Sequence, residues 1–168
     1  SKKRAEDYQH LTPEQHVLHR PDTYIGGTEL VSGPVWVHDG QRYWQAEDLP
    51  HNPGLLKTID EPLTNVVDQA ELTGKVTRLA VTVTDDTVTV RNEGSWLPVE
   101  RHPGTQEFVP TMAFFRMNTS ENYDDGVGPR FVGGRNGVGA KATFIFSTEA
   151  TVEVLDPSRR LIFAQTGR

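Results

Sequence analysis

The sequence predicts an α+β fold, a two-layer sandwich in which a mixed, mostly antiparallel sheet carries helices on one face. Three observations predict it. Pairs of short strand-like segments flank turn signals at Asp39-Gly40, Asp85-Asp86 and Asp156-Pro157. The stretch from Leu55 to Leu72 instead repeats its apolar residues with a helical period. Helix and strand signals alternate along the chain, with no internal repeat or low-complexity tract to suggest a solenoid.

Taken in order, Thr12, Pro13 and Gln15 make a capping-box start for a short helix that stops at Arg20-Pro21, because proline disfavours helical geometry in its predecessor. The N-terminal arm, residues 1–26, is therefore expected to be extended, with the folded domain occupying 27–168. Val35 to Val37 and Gln41 to Trp44 form the first hairpin. In the long helix, Leu55, Ile59, Leu63, Val66, Val67 and Ala70 build an apolar stripe, with acidic and amide residues opposite. Leu79 to Val83 and Thr87 to Val90 alternate with period two as a second hairpin. Phe108 to Met117 reads as a helix and Asn118 to Asn136 as a loop. A further helix runs through the Phe146 region, and a last hairpin joins Thr151 to Leu155 with Leu161 to Gln165.

Composition narrows the functional classes. At 168 residues and 35% hydrophobic content, the chain can bury one ordinary core. It has no Cys, which removes disulfides, thiolate zinc sites and a thiol nucleophile and agrees with an intracellular protein. His16 and His19 share a helical face without a nearby carboxylate of suitable spacing, so they read as a surface pair. No apolar run approaches membrane-spanning length, and no membrane partner is expected. A net charge of −6 argues against strong DNA binding by this domain itself, since such affinity comes mainly from Lys and Arg neutralising phosphates.

The chemistry concentrates in Gly133 to Lys141, GGRNGVGAK. Glycines that accept positive φ let successive amides turn toward an anion, and the apolar run after them can continue as a helix whose N-terminus favours negative charge. A Walker loop does not fit, because Ala140 separates Gly139 from Lys141 and Ala142 stands where a metal-binding hydroxyl is required. A dinucleotide fingerprint does not fit either, because a polar Gly/Pro-containing loop precedes the glycines instead of a buried strand. On the long helix, Glu61, Asn65 and Asp68 fall at i, i+4 and i+7 on one face. A carboxylate there can activate water and an Asn oxygen can hold Mg²⁺, although a merely solvated face has the same spacing. Asn92-Glu93-Gly94 places an amide at a strand end, where it can pair with a purine edge. Thr119, Ser120 and Asn122 supply small polar groups suited to ribose and phosphate oxygens.

A Glu/Asn helix, an Asn-x-Gly turn after a strand and a glycine loop entering a helix follow the motif order of the Bergerat ATPase fold shared by gyrase, heat-shock protein 90, histidine kinases and MutL. Beyond that fold, the chain resembles the N-terminal ATPase domain of eukaryotic-type DNA topoisomerase II. RPDTYIG at Arg20 to Gly26, PGLLKTIDEPLTNVVDQ at Pro53 to Gln69, TSENYDD at Thr119 to Asp125, GGRNGVGAK, and IFSTEATVEV at Ile145 to Val154 carry the resemblance, which runs from about Tyr8 to Thr166.

The resemblance implies ATP and Mg²⁺ as cofactors, with Glu61 as general base and Asn65 as the Mg²⁺ ligand. It implies an adenine-side contact at Asn92, ribose and phosphate contacts at Ser120 and Asn122, and a phosphate-wrapping loop of Arg135, Asn136, Gly137, Val138, Gly139 and Lys141. Tyr24 is similar to an arm tyrosine that reaches the partner subunit's nucleotide, which implies a homodimer formed by arm exchange on ATP binding. The implied function is the ATP-hydrolysing gate of a type IIA topoisomerase, acting on DNA through the full-length enzyme; the alternative is a non-catalytic, ATP-dependent dimerisation module. The implied compartment is intracellular, nuclear in a eukaryote and otherwise cytoplasmic or viral.

The family's transducer and DNA-cleavage domains, with the lysine that contacts the γ-phosphate and the tyrosine that attacks DNA, lie outside the resemblance. Pro62, Gln69, Glu93, Trp96 and Glu121 depart from the family pattern. Pro62 stands beside the expected base, and two local outcomes follow from it: a helix kinked there, or a helix whose first regular turn begins near Pro62.

Overall fold

A computed structural model describes Arg4 and residues 10–117 and 138–167. The fold is α+β, as expected, with elements in the order α1 (Pro13–His19), α2 (Pro21–Tyr24), β1 (Val31–His38), β2 (Tyr43–His51), α3 (Pro53–Thr73), β3 (Arg78–Val83), β4 (Val88–Glu93), α4 (Val109–Phe115), α5 (Gly139–Ile145), β5 (Ala150–Asp156) and β6 (Leu161–Gly167). Strand pairing among the described residues forms three two-stranded ladders, β1–β2, β3–β4 and β5–β6, all antiparallel.

The N-terminal segment is not extended over its described part. The Thr12 capping box forms, with Thr12 accepting from the Gln15 amide and Gln15 reaching back to the Thr12 amide. The helix stops at His19 as expected. Pro21, however, opens a second, one-turn helix, because a proline at the first helical position loses no hydrogen bond. Arg20, at φ −131° and ψ 58°, is the joint between the two. Downstream, the Gly54 amide donates to the Gly27 carbonyl at 2.8 Å and Asn52 Nδ2 donates to the Thr28 carbonyl at 2.6 Å, tying this segment to the start of α3.

In the first hairpin, Asp39 accepts from the Gln41 and Arg42 amides, and Gly40 takes φ 93°. Its strands run longer than expected because the register slips between Gly33 and Val35, a bulge that accommodates Pro34 without a ladder donor. Helix α3 is capped by the Asn52 side chain, starts with Pro53 and ends on left-handed Gly74 at φ 61°. It passes through Pro62, so the helix does not begin there. The expected stripe is only partly inward: Ile59, Leu63, Val66 and Ala70 are half-buried, Leu55 and Val67 are exposed, and Asp68 from the polar face is buried.

Among the described residues, two clusters make the core. Val99, Val152, Val154 and Phe163 gather Leu97, Phe108, Phe114, Phe115 and Phe144 around them. The strict in-out alternation of β5 supplies the inward Val152 and Val154. A second cluster joins Val17 and Ile25 from the N-terminal segment to Ala142 of α5, with Tyr24, Met117, Val138, Ile145 and Phe146 packed against it. Helix α5 thus contributes Phe144 to one cluster and Ala142 and Ile145 to the other, while also packing on α3.

A buried carboxylate closes the last hairpin. Asp156 accepts from Trp96 Nε1, the Val99 amide, Ser158 Oγ, and both the amide and guanidinium of Arg159. Burial opposes its charge, but these hydrogen bonds prevail and hold the carboxyl well below the usual carboxylate range.

The turn after β4 requires glycine. Gly94 has φ 92°, and a Cβ there would overlap the Lys75 carbonyl and crowd the Thr77 amide and hydroxyl, all held by the Thr77 amide's bond to the Glu93 carbonyl. Gly94→Ala is expected to cost at least about 2 kcal/mol in urea unfolding, from strain at positive φ plus a backbone overlap that cannot rotate away. A loss below about 0.5 kcal/mol would show that the turn relaxes freely.

Candidate functional site

The site is built where α5 meets α3. Gly139, the first residue of α5, lies so close to Glu61 in the middle of α3 that a Cβ there would overlap the Glu61 carboxylate. Glu61 is mostly sheltered, at 19% side-chain exposure. The helical spacing brings Lys57 one turn away, and its Nζ binds Glu61 Oε1 at 2.6 Å. That hydrogen bond raises the Lys57 ammonium above its ordinary value. One carboxylate oxygen is thus held by lysine while the other faces the start of α5.

Asn65 follows one turn later and is half-buried, and Asp68 is buried. The Glu61–Asn65–Asp68 face is therefore a sheltered one, and the reading of it as a solvated surface does not hold. Helix α3 also packs on β4, whose penultimate residue is Asn92. The Asn92 amide nitrogen donates to the Ser95 carbonyl at 2.8 Å, so the turn that needs Gly94 also orients this side chain.

Lys141 lies in α5 at 3% exposure, and burial lowers its ammonium to about 8. A cation kept in such a place favours a nearby anion, since opposite charge offsets the desolvation. Val138 caps α5 and packs in the second core cluster together with Tyr24. The Tyr24 hydroxyl meets His16 Nδ1 of its own chain at 2.8 Å, with the rings edge to face. Ser120, Asn122, Arg135, Asn136 and Gly137 lie outside the described residues.

Among the described residues, no group of three or more His, Asp or Glu is placed to hold a metal ion. That donor set still suits Mg²⁺ bound with a nucleotide, because this ion usually keeps several waters and takes only one or two protein oxygens besides phosphate. Asn65, half-buried one turn after Glu61, carries a side-chain oxygen of the kind this ion takes. No helix among the described residues is long and apolar enough to cross a membrane.

Two participants escape a motif-based reading. Lys57 was legible as an i, i+4 partner of Glu61, but such pairs are common on exposed helices and rarely mark sites. Thr143 donates from α5 to the Thr58 carbonyl of α3 at 2.9 Å, and nothing in its local sequence signals a partner 85 residues away.

No family model matches the chain. It is 42% identical over 165 residues to a protein named putative DNA topoisomerase 2, mitochondrial, from Caenorhabditis elegans, covering 96% of this chain and 14% of that protein. It is 38% identical over 161 residues to human DNA topoisomerase 2-alpha, covering 95% of this chain and 10% of that protein. The chain thus spans only 10 to 14% of the length of these relatives. Among solved structures, the ATPase and transducer domains of DNA topoisomerase II from Balamuthia mandrillaris superpose with TM-score 0.91 at 40% identity, over 99% of this chain and 43% of that one. The ATPase region of Saccharomyces cerevisiae topoisomerase II gives TM-score 0.90 at 35% identity, over 97% of this chain and 44% of that one.

The buried lysine has a pH signature. With a folded value near 8 against 10.5 for the free side chain, its desolvation cost is fully present below pH 8 and is relieved as pH rises toward 10.5, where the folded state has shed the proton and the unfolded state has not. Lys141→Met is expected to gain stability relative to the parent as pH falls from 10 to 7.5, a change on the order of 2 to 3 kcal/mol in urea unfolding. A pH-independent difference would contradict the desolvated lysine.

Proposed function

We propose that this chain, homologous over nearly its whole length to the ATPase region of type II DNA topoisomerases, is the ATP-binding and ATP-hydrolysing gate domain of such an enzyme. The observation that carries the proposal is the Glu61 carboxylate set against Gly139 at the start of α5, with Lys57 holding its other oxygen. A base on a rigid helix beside a phosphate-wrapping loop has what in-line water attack requires.

In this reading Glu61 takes a proton from water as the water oxygen bonds to the γ-phosphorus. The bond from that phosphorus to the bridging oxygen breaks, ADP departs with the electron pair, and the proton passes on to the released phosphate. Lys57 keeps the carboxylate from rotating away from the loop, and Lys141 offsets phosphate charge from within α5. Asn92 contacts the adenine edge, Ser120 and Asn122 the ribose and phosphates, and Arg135, Asn136, Gly137, Val138 and Gly139 wrap the phosphate chain. Asn65 would hold Mg²⁺, which supplies charge neutralisation at the phosphate oxygens.

Residues 1–26 act as an arm exchanged between two copies when ATP binds, so that nucleotide occupancy and dimerisation are one linked event. For the arm to reach a second copy, Val17, Tyr24 and Ile25 have to leave the second core cluster around Ala142, while the Tyr24–His16 bond lies within the arm and can travel with it. The cost of that release would keep the apo form closed on itself. DNA passage, and an intracellular location beside DNA, belong to the longer enzyme.

Glu61→Ala is expected to bind a non-hydrolysable ATP analogue normally while turnover falls at least about a hundredfold, the scale of general-base catalysis. Unchanged turnover removes Glu61 from the mechanism. Tyr24→Ala is expected to abolish analogue-dependent dimers in light scattering with Mg²⁺ present, and dimers of unaltered affinity would rule out its part in arm exchange.

A further inference from the structure

Proline inside a helix has a definite local consequence. It lacks an N–H, so the carbonyl four residues earlier loses its intrahelical donor. In α3 that proline is Pro62 and that carbonyl belongs to Thr58, on the turn just before Glu61. The Thr143 hydroxyl of α5 lies 2.9 Å from this oxygen. Its alternative acceptor, the Gly139 carbonyl in its own helix, lies at 3.4 Å, so the single hydroxyl proton goes to Thr58. The contact is part-buried, where an unsatisfied carbonyl would be costly.

We propose that Thr143 is a positioning residue that uses the carbonyl freed by Pro62 to dock α5 on α3, and thereby sets the distance between the Glu61 carboxylate and the phosphate loop. The geometry leaves little slack. Thr143 lies one helical turn after Gly139 and Thr58 lies just before Glu61, so the hydroxyl bond and the Gly139–Glu61 approach are two points on one helix-helix seam. Two points fix the relative rotation of the helices where one would not. The proline that costs the base helix one hydrogen bond therefore supplies the acceptor that aligns it. Nothing in the contact requires bound nucleotide.

The proposal rests on Glu61 being the base, and the test separates the two claims. In the full protein, Thr143→Val is expected to lower the thermal midpoint by about 2 to 6 °C. The same change should reduce kcat about tenfold while affinity for a non-hydrolysable ATP analogue stays within about threefold, as expected for misplacement of a catalytic group. Thr143→Ser, which keeps the hydroxyl, should restore kcat to within about twofold. With Pro62→Ala, the restored amide satisfies Thr58, and Thr143→Val should then cost less than about half its original midpoint shift. The proposal is overturned if the Ser variant is as impaired as the Val variant, if Pro62→Ala leaves the midpoint cost of Thr143→Val unchanged, or if Thr143→Val leaves kcat intact. A parent protein that binds but never turns over ATP would overturn the hydrolytic reading instead, while the midpoint measurements would still decide the Thr143–Thr58 bond.

Discussion

The closeness of α5 to its neighbours is the constraint on which the rest of the structure depends. This helix has only seven residues, too few to be stable alone, so it exists because three surroundings hold it. Its first residue is Gly, and Ala140 and Ala142 are buried, so its backbone can approach closely where larger side chains would hold it off. Phe144 reaches the core under the last hairpin, Ala142 and Ile145 meet the N-terminal segment, and Thr143 meets α3. A displacement of α5 toward any one of these would open a gap at the others. The same short element carries the end of the glycine loop, so its fixed position is also the fixed position of whatever anion that loop would hold.

Much of this was legible in the sequence where the signal is local. The Thr12 capping box, the Asp39-Gly40 turn and the strands around Asp85-Asp86 follow from hydrogen bonds spanning three or four residues. That Glu61 and Asn65 share one face was readable from helical spacing, and the folded chain sets Glu61 against Gly139. What was not legible depended on distant partners. The second helix after Pro21 was missed because a proline that ends one helix can also begin another. The apolar stripe on α3 misjudged Leu55 and Val67, since amphipathic spacing says which residues share a face and not whether anything covers it. The reverse holds for Asp68, a polar residue that tertiary packing buries. The intrachain bond of Tyr24 with His16 links two residues eight apart across a helix break, and no periodicity reports that. The loop positions Ser120, Asn122 and Arg135 to Gly137 fall outside the described residues, so the relation of that part of the site to the helices stands on sequence alone.

Pro62 shows how a local rule can be obeyed and still mislead. The rule says that a helix loses a hydrogen bond there, and in α3 the interior amide is indeed absent. The inference that the helix must therefore start or fail near Pro62 does not follow, because the orphaned carbonyl meets a donor from another element. Satisfaction of backbone polar groups is an accounting over the whole fold and not over one segment.

The Asp156 knot bears on the order in which the molecule assembles. It ties Trp96 and Val99 to a residue 60 and 57 positions later, so these two contacts of the segment after the Asn92 turn form only once the last hairpin exists. A chain emerging from the ribosome N-terminus first can cap its early helices and close its first two hairpins unaided, because those contacts are short in sequence. The anchoring of Trp96 and Val99 has to wait for the last hairpin, where Ser158 and Arg159 complete the ring of donors around Asp156. Nascent chains halted before that point would carry β3, β4 and the Gly94 turn without the buried carboxylate that fixes Trp96 and Val99.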